Sequence, residues 1–526
     1  MPDPDGQPQG VTAQDSAAKS GSMASDSMAR LAISVIQPYS SDPPTPSPKA
    51  SLQRNLRAYF EELAPTLGQW QRRNRYYYHN LACLHRFMVP AGSRVLAVGC
   101  GAGDLLEAVA PQVGVGIDFA PAMVNLARQR HPNLTFYSLN AEQLDPAHLA
   151  PDHRQFDYIL LSGVLGYLGD IQAVLQRLQP FCHPHTRLIL TFHNYLWEPV
   201  LRLAERLGQR RPQPPQNWLG MEDVVNLLTI TGYIPLKRGR RCLLPKRLPL
   251  LSGWVNRYLA PLPWLKHLCL TNVVVARPQP QPALVEPLTC SVIIPARNEA
   301  GNIQAALDRL PPLGDATEVV FVEGHSQDNT WATIQTVVAN YRGPLTLKAV
   351  QQTGKGKADA VRLGFDQASG DILMILDADL TVPPEDLPHF VEVLRSGRGE
   401  FANGSRLMYP RSQVAMPFLN TLANKTFALL FSFLLDQSLK DTLCGTKVLW
   451  RSDYQRIAAG RSYFGDFDPF GDFDLLFGAA KLNLHIVEVP IRYQPRTYGS
   501  SNIAHVKEGL ILLKMCLYAS RKLKFW

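Results

Sequence analysis

The stretch ILDADLT occupies residues 375–381, directly after an apolar run, and two prolines follow it at positions 383 and 384. In an extended chain, side chains two residues apart point the same way, so Asp377 and Asp379 can direct both carboxylates at one point while Ala378 turns into the core. Such oxygen ligands suit Mg²⁺ or Mn²⁺, which would hold a diphosphate. Aspartate pairs also form turns at strand ends, so the stretch alone leaves a metal site and a plain turn both open.

Composition sets broad limits on the rest of the chain. The 526 residues are enough for two or three domains, and the 46% hydrophobic and 18% charged content is typical of a globular protein. The eight cysteines include no Cys-x-x-Cys pair, which favours a reducing cytosol over a disulfide scaffold or a thiolate zinc site. The formal charge of +9 favours anionic partners without choosing among nucleotide diphosphates, phospholipid surfaces and nucleic acid.

The amino-terminal region differs from the remainder. Residues 1–50 are rich in Ser, Pro, Ala, Gln and Asp and show no period that would build a core, so we expect a disordered tail. The start lacks a basic segment followed by an apolar one, and the sequence contains no run of eighteen apolar residues. We therefore expect neither a signal peptide nor a membrane-spanning helix.

A glycine loop marks the next region. The letters VLAVGCGAGD at residues 95–104 describe an apolar strand, a tight loop and the start of a helix. A dinucleotide fingerprint would have glycine where Asp104 stands, which argues against NAD. A second apolar strand ends in Asp118, nineteen residues after Gly99, where a carboxylate can accept both hydroxyls of a ribose.

Residues 51–277 predict one α/β domain. Apolar strands at 156–161 and 187–191 alternate with helical segments, which implies a mainly parallel sheet with helices on both faces. Together with the turn at residues 140–142, this pattern resembles a class I S-adenosylmethionine-dependent methyltransferase. The resemblance implies S-adenosylmethionine as cofactor, held at its methionine part, ribose and adenine by Gly99, Gly101, Gly103, Asp118, Asn140 and Ala141. Many relatives have Asp where this chain has Asn140.

Two features of this domain stay open in the sequence. Methyl transfer needs chiefly orientation of the reactants, and a general base where the acceptor must lose a proton. The histidines near the ends of the later elements are His183, His185 and His193, and the sequence singles out none of them. Residues 237–247 carry six basic side chains and no acid, ahead of Trp254, Tyr258 and Trp264. They favour either a flap that faces membrane or phosphate, or a solvated loop over the active site.

A proline-rich stretch separates this domain from a second one. Residues 278–289 begin with PQPQP, which predicts an extended linker. Beyond it, residues 290–526 repeat the series of strand, loop and helix. A buried strand at 290–295 is closed by proline, and a strand at 318–323 ends in an acid. We therefore predict two α/β domains, each with a mainly parallel sheet and helices on both faces.

Seven motifs follow one another in the second domain: IPARNE (294–299), EGHSQDNT (323–330), GKGKA (354–358), DADL (377–380), NGSR (403–406), DTLCGTK (441–447), and EVPIRY with RTYGSS (488–493 and 496–501). In this order they resemble family 2 glycosyltransferases of the GT-A fold, most nearly the branch of dolichyl-phosphate-mannose synthase and related polyprenyl-phosphate glycosyltransferases. The resemblance favours the metal site over the plain turn at Asp377 and Asp379.

The resemblance implies a role for each matching residue. The implied nucleotide-sugar ligands are Pro295, Arg297, Glu299, Glu323, Lys357 and Asp377, and the implied ligands of Mg²⁺ or Mn²⁺ are Asp377 and Asp379. Arg406 is implied to hold the phosphate of the acceptor lipid. Relatives usually carry two consecutive acids where this chain has Glu323-Gly324, so the choice between UDP and GDP stays open.

The acceptor decides whether the enzyme needs a general base. A lipid phosphate is already a nucleophile at pH 7, whereas a sugar or protein hydroxyl requires a carboxylate to take its proton. The candidates for that base are Asp472 and Asp474, so both are counted with Asp379 and Arg406 among the catalytic candidates.

Two apolar segments bear on membranes. Residues 418–435 and 503–517 are interrupted by charged or polar side chains, so they are amphipathic and not spanning. The chain closes on the basic and aromatic residues 521–526, which favours contact of the second segment with anionic lipid. Packing onto the second domain is the alternative for both segments.

We therefore predict a bifunctional enzyme, peripheral at the cytosolic face of a membrane. Its glycosyltransferase domain would move a sugar from GDP-mannose or a UDP-hexose to a polyprenyl phosphate, and its methyltransferase domain would act on an unidentified acceptor. The alternative is a glycosyltransferase that modifies a glycan or protein hydroxyl, with the first domain a non-catalytic binding module. Nucleic acid is not expected as a partner, because the basic residues are not interleaved with base-stacking aromatics.

Overall fold

The computed structural model describes residues 48–279, 287–409, 418–464, 471–496, 498 and 505–525. Almost all of the predicted tail and most of the predicted linker lie outside the described residues, so both stay predictions. Residues 52–526 form one compact unit, which contains both α/β domains.

Seven strands build the first sheet: β1 Arg94–Val98, β2 Val113–Asp118, β3 Thr135–Ser138, β4 Phe156–Ser162, β5 Cys182–His193, β6 Tyr233–Arg241 and β7 Thr271–Pro278. Their order across the sheet is β3-β2-β1-β4-β5-β7-β6. The first five strands are parallel, and β7 runs antiparallel to both of its neighbours. The carboxyl ends of β1, β2, β4 and β5 therefore meet at one edge, where ligands bind in open α/β sheets.

The helices of the first domain are α1 Pro48–Leu63, α2 Leu67–Arg73, α3 Arg75–Met88, α4 Asp104–Ala108, α5 Pro121–Arg130, α6 Ile171–Leu178, α7 Glu198–Arg206, α8 Met221–Ile230 and α9 Leu251–Trp254. Side chains of β1 alternate between two hydrophobic cores, with Leu96 and Val98 in one and Val95 and Ala97 in the other. The sheet is thus buried on both faces, as expected for a parallel sheet made of apolar strands.

Seven further strands build the second sheet: β8 Thr289–Ala296, β9 Ala316–Glu323, β10 Thr346–Gln351, β11 Ile372–Ile375, β12 Phe401–Ser405, β13 Lys447–Trp450 and β14 Ile486–Pro490. Their order is β10-β9-β8-β11-β13-β12-β14. The first four are parallel, β13 is antiparallel to β11 and β12, and β14 is parallel to β12. The carboxyl ends of β8, β9 and β11 share one edge.

The helices of the second domain are α10 Ile303–Asp308, α11 Thr330–Asn340, α12 Lys357–Gln367, α13 Leu387–Arg395, α14 Phe418–Leu435, α15 Arg451–Ala459, α16 Asp472–Lys481 and α17 His505–Leu523. On β8, Ile293 packs into one core and its neighbours Val292 and Ile294 into the other. The predicted fold class, two α/β domains of Rossmann-like and GT-A type, is confirmed. Among the described residues, helices that combine the length and the apolar character needed to cross a bilayer do not occur.

A buried ion cluster joins the two domains. The Arg187 Nη2 of β5 donates to both carboxylate oxygens of Glu400, at 2.8 and 2.7 Å, and Arg277 Nη1 of β7 lies 3.2 Å from the same carboxylate. Burial alone would raise the pKa of Glu400, but Arg187, His185 and Arg277 outweigh it and hold the pKa well below its usual range. All three ion-cluster side chains are buried, so the interface excludes water from the charges.

The basic segment at residues 237–247 also contributes to this interface. The prediction of a flap or loop is wrong for its first half, because residues 233–241 form β6 and pair with β7. Lys237 Nζ donates to Asn483 Oδ1 of the second domain at 2.8 Å, and Arg241 Nη1 donates to the Lys524 carbonyl at 3.0 Å. Lys237 and Arg241 are therefore half-buried and contact the second domain.

Two candidate active sites

The glycine loop of the first domain lies between the end of β1 and the start of α4. Gly99 and Gly101 have φ values of +67° and +54°, a region that favours glycine. A Cβ at Gly99 would lie 2.6 Å from Val164 Cγ2, whereas a Cβ at Gly101 would meet no described atom within 4 Å. Gly99 therefore permits close packing, and Gly101 leaves open space where a ligand can approach the backbone.

Asp118, at the end of β2, faces the same loop. Its Oδ2 accepts a hydrogen bond from the Gly101 amide at 2.9 Å, and its Oδ1 accepts one from the Ala120 amide at 3.0 Å. Burial raises its pKa, although these two backbone donors oppose the shift. Each carboxylate oxygen keeps a second lone pair that can accept a ribose hydroxyl.

The adenine turn predicted at residues 140–142 is a single 3₁₀ turn. Asn140 Oδ1 accepts from the Glu142 amide at 3.0 Å, which fixes the side chain at the turn's start. Glu142 in turn accepts from the Gly169 amide at 2.8 Å and from Gln53 Nε2 at 3.0 Å. The turn is therefore held from both sides.

A cavity of about 1020 Å³ contains these elements. Gly99, Gly101, Asp118, Asn140 and Ala141 all line it, which brings five of the six predicted cofactor residues together. The sixth, Gly103, is not among the lining residues, and a Cβ there would lie 2.7 Å from the Phe136 ring. Small-molecule pockets usually measure about 300–1,000 Å³, so this cavity has room for S-adenosylmethionine and an acceptor. The open space at Gly101 and the acceptor oxygens of Asp118 fit that cofactor.

The cavity is also lined by two residues that the sequence did not single out. Tyr77 of α3 and His193, at the carboxyl end of β5, both line the cavity, and the tyrosine hydroxyl lies 3.2 Å from His193 Nε2. Burial and the nearby Arg210 lower the pKa of His193 to about 3, so the imidazole is neutral at pH 7. The other candidate histidines lie elsewhere, with His183 against Asp157 at 3.1 Å and His185 beside Glu400 at 3.8 Å.

In the second domain the aspartate pair lies in a turn directly after β11. Leu380 donates its amide to the Asp377 carbonyl at 3.2 Å, and Ala378 is buried as expected. The prediction of an extended chain at the aspartate pair is therefore wrong. A turn at this position does not exclude a metal site. Lys357 Nζ lies 2.6 Å from Asp377 Oδ1, and Arg496 Nη2 donates to Asp379 Oδ2 at 2.7 Å.

The aspartate pair offers oxygen donors but only two carboxylates. Among the residues described, groups of three or more His, Cys, Asp or Glu side chains that could hold a metal ion do not occur. Mg²⁺ in phosphate-handling sites is commonly bound by one or two carboxylates together with substrate phosphates and water, so the donor set fits this ion. Gly445 packs against the pair, because a Cβ there would lie 2.1 Å from Asp377 Oδ2 and 2.6 Å from Lys357 Nζ.

Glu299 and Glu323 mark the neighbouring strand ends. Glu299 accepts from Arg496 Nη1 at 3.1 Å and from Asn302 Nδ2 at 2.7 Å, and burial raises its pKa despite the arginine. Glu323 accepts from the Ser326 amide at 2.5 Å and from Gln351 Nε2 at 3.1 Å. Burial would raise the pKa of Glu323, but the Ser326 and Gln351 donors outweigh it and lower the pKa. Two further predicted nucleotide ligands stand nearby in the chain: Pro295, near the end of β8, is half-buried, and Arg297, just after β8, is exposed.

Arg406 follows β12 and is held rigidly. Its Nε and Nη2 donate to the two oxygens of Asp441 at 2.8 Å each, and its guanidinium lies 5.3 Å from the centre of the Tyr493 ring. Asn424 Nδ2 of α14 donates to the same carboxylate at 2.8 Å. Burial would raise the pKa of Asp441, but Arg406 outweighs it and lowers the pKa to about 2. Asp441 therefore positions Arg406, a role that the sequence prediction missed although it quoted the motif.

The two candidate bases differ in their surroundings. Asp474 Oδ2 accepts from Arg461 Nε at 2.7 Å and from Arg362 Nη2 at 3.3 Å. Asp472 Oδ1 lies 3.9 Å from Lys447 Nζ, and burial raises the Asp472 pKa although Lys357 and Lys447 oppose the shift. The two neighbouring carboxylates are therefore not equivalent.

Comparison with known protein families gives one match in each domain. Residues 96–188 match the family model described as Methyltransferase domain, and residues 291–457 match Glycosyl transferase family 2. The chain thus carries a methyltransferase domain and a family 2 glycosyltransferase domain. These matches confirm the two families recognised in the sequence and the expectation of an enzyme.

Individual relatives resemble one domain each. The chain is 30% identical over 220 residues to a dolichol-phosphate mannosyltransferase from Pyrococcus furiosus, covering 40% of this chain and 58% of the relative. It is 36% identical over 118 residues to an undecaprenyl-phosphate 4-deoxy-4-formamido-L-arabinose transferase from Serratia proteamaculans, covering 22% and 36%. The chain therefore spans less than two thirds of the length of these relatives. A solved methyltransferase from Thermotoga maritima is 15% identical with a TM-score of 0.33, covering 42% of this chain and 99% of that one.

Proposed function

We propose that the second domain transfers a sugar from GDP-mannose or a UDP-hexose to a polyprenyl phosphate, with Mg²⁺ or Mn²⁺ on Asp377 and Asp379. The observation that carries this proposal is the meeting of Glu299, Glu323 and the aspartate pair at adjoining strand ends, beside the cations Lys357 and Arg406. Relatives named for dolichol phosphate and undecaprenyl phosphate support a lipid phosphate as acceptor.

Each residue has a task in this reaction. The metal, when bound, neutralises charge that develops on the departing diphosphate. Lys357 adds a positive charge next to Asp377, at 2.6 Å, where donor phosphates would lie. Arg406, oriented by Asp441, binds the acceptor phosphate, whose oxygen needs no base to attack. Glu299 and Glu323 accept hydrogen bonds from the nucleoside.

Labelled nucleotide-sugars test the acceptor. Full-length protein is incubated with membranes and labelled GDP-mannose or UDP-hexose, and the mixture is extracted with organic solvent. We expect label in the organic phase, dependent on Mg²⁺ or Mn²⁺. Label confined to the aqueous phase would contradict the lipid acceptor.

The second candidate is transfer to a glycan or protein hydroxyl, and Asp472 is the observation that favours it. Its pKa is raised by burial, and a carboxylate with a raised pKa is a better base for a hydroxyl. Replacement of Asp472 by Asn separates the two reactions. It would abolish transfer to a hydroxyl, whereas transfer to a lipid phosphate would continue.

We propose that the first domain binds S-adenosylmethionine and transfers its methyl group, with Tyr77 and His193 facing the acceptor. The neutral imidazole can accept a hydrogen bond from an acceptor and orient it, together with the tyrosine hydroxyl 3.2 Å away. Calorimetry on the full-length protein tests the first step. Binding at micromolar cofactor is expected, and absence of heat at millimolar cofactor would leave a non-catalytic module. Finally, we propose that the enzyme acts at the cytosolic face of a membrane without crossing it.

A further inference from the structure

An exposed apolar patch covers one side of the first domain. It is formed by large side chains that a globular surface usually buries, and we define it as Val200, Leu207, Leu248, Leu250, Trp254 and Trp264. Leu250 is 96% exposed and Trp264 is 88% exposed. Large contiguous apolar surface of this kind marks a site of interaction with protein or membrane.

Hydrogen bonds tie the three segments of the patch together. Trp197 Nε1, at the start of α7, donates to the carbonyl of Leu268 at 2.8 Å. Leu268 follows Trp264 by four residues in the chain. Lys246 Nζ, on the segment before Leu248, lies 3.3 Å from Gln209 Oε1, just beyond Leu207. The patch is therefore one surface of the folded domain and not three unrelated loops.

The patch is continuous with the methyltransferase cavity. Val200 and Leu248 are about half exposed on the patch and also line the cavity. Lys246 lines the cavity as well and lies between patch and cavity. A molecule bound at Asp118 and His193 in the cavity can thus extend past Val200 and Leu248 onto the apolar surface.

The charge around the patch favours an anionic partner. Residues 243–269 contain four basic side chains, Lys246, Arg247, Arg257 and Lys266, and neither Asp nor Glu. Tryptophan and basic side chains together are typical of proteins that lie at the interface of an anionic bilayer. A protein partner with an acidic surface would match the charge but would leave the apolar side chains without an equivalent partner.

The glycosyltransferase domain adds to the same surface. The Phe525 ring lies 6.0 Å from the Tyr258 ring, and Arg257 Nε donates to the Phe525 carbonyl at 2.7 Å. Leu510, Leu513 and Leu517 of α17, spaced three and four residues apart, are exposed on one face of the helix that leads to this contact. The helix that contains most of the predicted segment 503–517 thus leads to Phe525 and Tyr258, and the Tyr258 ring lies 6.4 Å from the ring of Trp254 in the patch.

We propose that the apolar patch lies on an anionic bilayer, and that the methyl acceptor is an amphipathic lipid whose polar head enters the cavity while its chain stays in the membrane. This inference rests on the proposed methyltransferase function. In the reaction, an oxygen or nitrogen of the lipid head forms a bond to the methyl carbon as the sulfur–carbon bond breaks. The products are methylated lipid, S-adenosylhomocysteine and a proton that is released to solvent, while the neutral imidazole of His193 accepts a hydrogen bond from the lipid head and orients it.

Vesicle binding tests the surface. The double variant Leu250→Glu/Trp264→Glu and the wild type are sedimented with phosphatidylcholine vesicles, with and without phosphatidylglycerol. Ile230→Glu on α8, an equally apolar side chain that is 53% exposed outside the patch, is the matched control. We expect wild type and control to bind the anionic vesicles and the double variant to bind about tenfold more weakly or less. Equal binding of all three proteins would overturn the proposal that the apolar patch binds the bilayer.

Methyl labelling tests the acceptor. Full-length protein is incubated with methyl-labelled S-adenosylmethionine and vesicles of a total lipid extract from the source organism. Label that enters the organic phase with wild type and Ile230→Glu, but not with Leu250→Glu/Trp264→Glu, supports the proposal. Cofactor binding by calorimetry without organic label would overturn the lipid acceptor, whereas absence of cofactor binding would overturn the methyltransferase function itself.

Discussion

The two candidate sites lie in domains of one fold class but are built to hold different ligands. The methyltransferase site is a large cavity lined mainly by apolar side chains, with the glycine loop and the buried carboxylate of Asp118 at the strand ends. The glycosyltransferase site is an array of charged side chains, with Lys357 on Asp377 and Arg496 on Asp379. An anionic diphosphate requires opposite charges, whereas the adenosine part of S-adenosylmethionine is uncharged and requires shape and hydrogen-bond partners. In both domains the candidate site lies at the carboxyl ends of parallel strands, and the side chains there determine which ligand it can bind.

This comparison predicts that single charge removals act far more strongly in the second domain. Asp379→Asn removes a proposed metal ligand, which is worth several kcal/mol, and should lower sugar transfer about 10³-fold. Organic extraction of labelled sugar measures the loss. Binding of S-adenosylmethionine to the same variant should be unchanged by calorimetry, and loss of both activities would refute two separate sites.

Asp441→Asn should have the next largest effect, on stability. Removing one partner of a buried ion pair leaves Arg406 uncompensated and costs about 3–5 kcal/mol of unfolding free energy. Because the pKa of Asp441 is lowered to about 2 in the folded protein, its contribution is complete above about pH 4 and is lost as pH falls toward 2.

Urea unfolding at pH 7 and pH 3 measures this contribution. The control is Glu222→Gln, which removes an exposed pair with Arg238 and should cost less than about 1 kcal/mol. Equal destabilisation by the two variants would mean that Arg406 is not held by Asp441.

Gly445→Ala tests whether the charged site depends on close packing. The new Cβ would lie 2.1 Å from Asp377 Oδ2, so the carboxylate must move. A displacement of about 1 Å at a reacting group can cost about 10²-fold in rate, and we expect a loss of that size in sugar transfer. Gly460→Ala, where the nearest atom to a Cβ is 3.6 Å away, should leave the rate unchanged. Equal rates for both variants would contradict the assigned position of Asp377.

Asp118→Asn gives the smallest expected effect and tests the apolar site. Loss of a charged hydrogen-bond acceptor costs about 1.5–3 kcal/mol, or about 10–100-fold in affinity for S-adenosylmethionine. Since burial raises the Asp118 pKa, wild-type affinity should fall with acidification at a higher pH than an ordinary aspartate would dictate. Calorimetry from pH 7 to pH 4 measures both effects. An unchanged affinity in the variant would show that the cavity holds its cofactor without this carboxylate.

The sequence could predict the site residues that lie at strand ends. Gly99, Asp118, Glu323 and Asp377 each stand within two residues of the end of an apolar run, and parallel strands bring such positions to one edge. The spacing did not predict that Asp377 and Asp379 lie in a turn. The two prolines and a buried Ala378 are compatible with a turn as well as with an extended chain.

Walls made from distant segments could not be predicted. Tyr77, His193 and Leu248 meet around one cavity although more than 50 residues separate each from the next. The hydrophobic periodicity of a segment cannot show that such residues meet, because each side chain is equally suited to a surface or a core. The interpretation of the basic segment was wrong for a related reason, since Lys237 and Arg241 belong to a half-buried edge strand and contact the second domain.

The ion cluster of Glu400 with Arg187 and Arg277 has a practical consequence for handling the protein. A protease cut between β7 and β8 would separate the chain without breaking these contacts, so the fragments should elute from gel filtration as a single particle. Expressing either half alone would leave two arginines or one glutamate without the partner that compensates it. Structural work on this enzyme is therefore best carried out on the undivided chain.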